Sequence, residues 1–181
     1  QRLGALPAWF EPALQAPTVL ESLWSNARSS YVDNPLPALF KEQLLAYLSR
    51  YCATPYCIVT HSCALRAMGM GPLQLLHTLE APAPTEREVA AHLRLLRSVE
   101  VPLSFCPPHE SALEQALLRV SAHVFLKPGA GAACRAALRR VLGEVDYAHW
   151  TSLLAWVRTY HTWAEAHPEL DARAEPVVQD G

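Results

Sequence analysis

The chain has 181 residues, enough for one domain with a real core. Its formal net charge of −2 gives no electrostatic basis for binding nucleic acid, and no uninterrupted apolar run reaches membrane-spanning length. The five cysteines (Cys52, Cys57, Cys63, Cys106 and Cys134) are odd in number and sit in apolar segments, a pattern that predicts reduced thiols in a cytoplasmic protein instead of a disulfide scaffold.

Alanine and leucine dominate, prolines fall between periodic segments, and no run of alternating β-branched residues occurs, so the expected fold is all-α. Helices are expected at about 7–15, 18–30, 36–52, 55–69, 71–79, 85–98, 109–126, 130–142 and 145–166. Gly69 and Gly71 suit the C-cap and turn after the fourth of these, and Thr85 with Glu88 spells a capping box. The proline-rich stretch 99–108 reads as a loop between two helical halves. The acidic stretch 171–181 reads as a linker-like tail, leaving residues 1–170 as the domain.

Two helices stand apart. Between Leu36 and Cys52 only Lys41, Glu42 and Arg50 are charged, and between Pro55 and Gly69 only Arg66 is. Helices so apolar belong in a core or a subunit interface, which predicts self-association. Thr54 before Pro55 is a helix-start signal, placing Cys57 in a first turn where free N–H groups and the helix dipole favour a thiolate. His61, four residues on, shares its face and could act as a base. Glu42 could tune that base, or could pair with an arginine such as Arg50 or Arg66.

Cys52 lies five residues before Cys57, about 140° away on a continuous helix, but the Ala53-Thr54-Pro55 break could bend it back. Cys63 falls on the opposite side of its helix from Cys57 and reads as core. No second closely spaced ligand pair accompanies Cys57 and His61, so neither a metal nor any other cofactor is expected. Cys106 before two prolines is only weakly similar to a haem-responsive Cys-Pro element. His161 and His167, bracketing the end of the last long helix, read as C-terminal capping charges, and Trp150, Trp156, Tyr160 and Trp163 as a core stripe.

Glu42, Thr54, Cys57 and His61 together spell E-x11-T-x2-C-x3-H. This resembles the E-x11-C-x2-C-x3-H signature of peroxidases in the alkylhydroperoxidase D / carboxymuconolactone decarboxylase superfamily. The stretches 17–24, 40–50 and 56–66 resemble the family's first, Glu-bearing and Cys-bearing helices. A narrower likeness, carried by Asn34-Pro35-Leu36-Pro37, Tyr47–Cys52, His123–Leu126 and Leu153–His161, is to a domain at the N-terminus of some bacterial PAS-containing sensor histidine kinases.

The resemblance implies a helical bundle with the Glu42 helix packed on the Cys57 helix, self-association, and downstream PAS or kinase domains as partners. It carries Glu42, Cys57 and His61 across as site residues. Thr54 replaces the family's first cysteine, so the usual resolving thiol is missing and Cys52 is the only nearby substitute. Two functions are therefore expected to compete. One is a degenerate, redox-responsive sensory or regulatory input module. The other is a working thiol-dependent peroxidase using Cys57, His61 and Glu42.

Overall fold

The computed structural model describes residues 6–99, 107–127, 129 and 131–179, and these form helices and turns with no strand among them. After a 3-10 turn at Ala8–Ala13 come α1 (Pro17–Ala27), α2 (Ala38–Ser49), α3 (Pro55–Ala67), α4 (Pro72–Glu80), α5 (Glu86–Ser98), α6 (Ala112–Leu126), α7 (Ala132–Ala166) and α8 (Pro176–Gln179). The all-α expectation holds. Cys106 and most of the proline-rich loop lie outside the described residues.

Helix α2 is central. Every residue from Phe40 to Ser49 is buried, with Leu44, Leu45 and Leu48 almost completely so. It packs along α3 and also meets α4, α6 and α7. Each of the three leucines contributes about 1.5–3 kcal/mol by leaving water. The sequence pattern put this helix in a core or a subunit interface; its cover comes from the chain's own helices.

Local signals set several ends. Thr85 and Glu88 form the reciprocal capping box, with Glu88 Oε2 2.7 Å from the Thr85 N–H. Helix α3 closes in a Schellman motif: Gly69, at φ +94°, donates to the Arg66 carbonyl, and Met70 donates to that of Leu65. Gly71 has no left-handed φ and instead precedes Pro72 at the start of α4. The expected break between 142 and 145 is a kink within α7 at Gly143 (φ 75°, ψ 172°), backbone that only glycine adopts easily.

Two segments depart from expectation. Helix α1 does not run to residue 30 as a regular helix; it widens into a π turn at Arg28–Val32. The buried Lys41 ammonium holds that end, donating to the carbonyls of Tyr31 (2.6 Å) and Asn34 (2.8 Å). Residues 171–179, expected as part of a linker-like tail, fold back onto the domain. A 3-10 turn at Ala172–Ala174 and α8 pack back on α3. The buried Glu175 carboxylate fastens them, accepting from the Trp9 N–H (3.2 Å) and from the Tyr56 hydroxyl.

Candidate functional site

The break at Ala53-Thr54-Pro55 turns the chain sharply from α2 into α3. Thr54 is extended, and its side chain accepts from the Tyr56 N–H (3.4 Å) as N-cap, with Pro55 opening the helix. This bend brings the sulfurs of Cys52 and Cys57 to 3.3 Å, contact distance for two thiols. Both are free cysteines. Cys57 is completely buried and Cys52 only partly so.

His61, 6% exposed, sits on the same face of α3 one turn beyond Cys57, and its Nδ1 is 2.8 Å from Glu42 Oε2. Glu42, 2% exposed, also accepts from the Tyr31 hydroxyl. The π turn, the Lys41 clamp and α2 therefore cooperate to place Tyr31, Glu42 and His61 in one hydrogen-bonded row. An ionised Glu42 accepts from a proton on Nδ1, which leaves Nε2 for any further partner. That Nε2 is buried and has no hydrogen-bond partner among the described residues. Arg50 and Arg66, the expected alternatives for Glu42, each donate to a backbone carbonyl, those of Ala81 and Met70.

The electrostatics of Cys57 differ from the expectation drawn from its place in a first helical turn. Burial pushes its thiol far above the ordinary cysteine value, and the neighbouring Cys52 adds to the shift. Losing water costs a thiolate more here than the helix N-terminus returns. Cys52 is raised too, again mainly by burial, with the Thr54 backbone and Cys57 pulling the other way. Both sulfurs are therefore neutral thiols at neutral pH, and Cys52 is the one that solvent reaches.

Helix α7 closes the site. A ring nitrogen of His161 lies within 4.8 Å of both sulfurs. Burial and the neighbouring His61 lower the His161 pKa to about 4, so it is a neutral imidazole, not the cationic cap its position implied. His167, by contrast, does sit at the C-cap, 3.0 Å from Glu169. Glu165, one turn beyond His161, accepts from the Ala53 N–H at 2.9 Å, tying α7 to the bend. Tyr160 stacks on Trp9, and its ring centroid is 5.1 Å from that of His61.

Sequence reasoning missed Tyr31, His161, Glu165 and Glu175. His161 carried a usable signal: Leu153, Leu154, Val157, Tyr160, His161 and Ala164 form one buried helical stripe. Cys63, expected in the core, is only partly buried, whereas Cys134 is buried.

A concavity between α2, α4 and α6 is lined by residues that include Gln43, Tyr47, His77, Gln115 and Arg119; none of Cys52, Cys57, Glu42 and His61 lines it. No helix of the described residues is long and apolar enough to cross a membrane. No protein-family model, curated protein or solved structure matches the chain. Fold and site together define an all-helical set of described residues with a half-buried dithiol, Cys52 and Cys57, of which Cys57 shares a helix face with the histidine of a buried histidine–carboxylate pair.

Proposed function

We propose that the chain is an alkylhydroperoxidase D-like helical domain serving as a redox-responsive sensory or regulatory module of a bacterial signalling protein, with Cys52 and Cys57 as its switch. The observation that carries this reading is the 3.3 Å separation of the two sulfurs across a bend. Self-association and a following PAS or kinase domain belong to the same proposal.

The chemistry starts at the accessible sulfur. A hydroperoxide attacked by Cys52 loses its distal oxygen to sulfur: the O–O bond breaks, Cys52 becomes a sulfenic acid, and the thiol proton ends on the departing alkoxide as an alcohol. Cys57 then attacks the sulfenic sulfur, and water leaves with the Cys57 proton. Two thiols and one hydroperoxide thus become a disulfide, an alcohol and water. Closing the pair from 3.3 Å to the roughly 2.05 Å of a disulfide pulls on Ala53, which Glu165 ties to α7. Oxidation is therefore felt by the longest helix of the domain.

A second reading, an active thiol peroxidase with Cys57 as nucleophile, is favoured by the Glu42–His61 pair and the bare His61 Nε2. In that reading His61 takes the Cys57 proton while Glu42 orients the ring.

Peroxide titration of the reduced protein, with each cysteine quantified by mass spectrometry, tests the first reading. Cys52 and Cys57 should disappear together, ahead of Cys63 and Cys134. Oxidation of Cys63 or Cys134 first, with the pair intact, contradicts it. Sustained peroxide consumption with an external thiol, abolished by Cys57→Ser, would select the enzyme.

A further inference from the structure

We infer that Cys52, Cys57 and His161 form a three-ligand binding site for a thiophilic d10 cation, zinc(II), with the fourth coordination position left to solvent. The site uses the same two sulfurs as the redox reading but does not need them to oxidise.

Three observations converge on it. The ligand atoms of Cys52, Cys57 and His161 all lie within 4.8 Å of one another. Tetrahedral zinc with sulfur at about 2.3 Å and nitrogen at about 2.0–2.1 Å wants its ligand atoms roughly 3.5–3.8 Å apart. The 3.3 Å sulfur pair is already within about half an ångström of that, and the imidazole needs a shift of about one. Second, His161 is 6% exposed and its Nε2 is buried without a hydrogen-bond partner among the described residues. A buried polar nitrogen left unsatisfied is costly, and a cation is one way to satisfy a lone pair. Third, Glu165 follows His161 by four residues, hence on the same face of α7, and accepts from the Ala53 N–H at 2.9 Å, which holds the His161 face of α7 against the Cys52–Cys57 bend.

Charge and protonation agree with this placement. Two thiolates and a neutral imidazole around a dication sum to zero, the arrangement least penalised by burial. Zinc must displace the protons of both thiols, so two are released per ion. His61, whose Nδ1 is 2.8 Å from Glu42, is the neighbouring histidine across from His161.

Anaerobic titration of the reduced chain with cobalt(II) and then zinc(II) tests the site. One ion per chain is expected, with thiolate-to-cobalt charge-transfer bands in the near ultraviolet that zinc abolishes, and about two protons released per zinc. Because losing even an outer partner of a metal ligand weakens binding by about 10–100-fold, Cys57→Ser and His161→Ala should each weaken it by more than about 100-fold. Zinc bound without charge-transfer bands in the cobalt form, or with affinity unchanged in both variants, overturns the proposal. The wild-type cobalt spectrum decides even if a variant fails to fold. A protein that bridges Cys52 to Cys57 with peroxide yet binds no ion refutes the metal site and leaves the redox reading standing.

Discussion

At the scale of single residues, the site is a row of buried polar groups that stand or fall together. Glu42 is held by Tyr31 and His61, and removing one member of such a buried pair leaves the other uncompensated. Glu42→Ala should therefore cost about 3–5 kcal/mol in urea unfolding, whereas breaking an exposed pair such as Arg139–Glu144 should leave the unfolding midpoint almost unchanged. His161 makes a second prediction. Its folded pKa is about 4 against about 6.5 when unfolded, so between these values the unfolded chain binds more protons. Stability should fall as pH drops from 6.5 towards 4, by up to about 3 kcal/mol from this group. Comparing wild type with His161→Phe by chemical unfolding across that window isolates the effect; identical pH profiles contradict it. The placing of Cys57 and His61 on one face of α3 was legible because a helix-start signal and a four-residue spacing are local, whereas Glu42 became a site residue only through the family resemblance. The dominance of burial over the helix dipole at Cys57 was not legible, because burial there is set by the helices that pack on α3 and not by the local sequence.

At the scale of elements, the bend between α2 and α3 brings the two sulfurs together, and α7, which closes the site with His161 and Glu165, is kinked well before them at Gly143. The α7 break was visible in sequence, since Gly143 interrupts an otherwise helical pattern. Gly143→Ala forces an L side chain into φ 75° and should destabilise the protein by about 1–3 kcal/mol in a denaturant titration. Thr54→Ala removes the N-cap of α3 and should cost about 1 kcal/mol, while also raising the alkylation rate of Cys57 by fraying the first turn. The π turn at Arg28–Val32 had no local signature. It exists because Lys41, ten residues beyond Tyr31, binds carbonyls at its end, and only the tertiary fold brings them together.

At the scale of the whole molecule, the two ends of the chain help seal the thiols. Trp9 packs on Tyr160 and Trp156, and Glu175 ties Trp9 to Tyr56, the residue before Cys57. Composition alone made residues 171–179 look like a linker, because a single buried carboxylate with two distant donors leaves no periodic trace. Truncation after Leu170 should therefore lower the melting temperature and expose Cys57 to alkylation; an unchanged Cys57 rate would show that the tail does not seal the site. The all-helical class and most helix positions were readable from proline placement and apolar periodicity, whereas the closure of the site by α7 and the tail rests on contacts more than a hundred residues apart in sequence.

The most direct test of the central claim, that Cys52 and Cys57 form a switchable dithiol, is a thiol count on a chain carrying Cys63→Ser, Cys106→Ser and Cys134→Ser. Equilibrated in glutathione redox buffers, this variant should lose both remaining thiols together within monomeric chains, joined in one Cys52–Cys57 peptide, and regain both on reduction. Loss of Cys52 alone to glutathione, with Cys57 still free at every potential, would contradict the account.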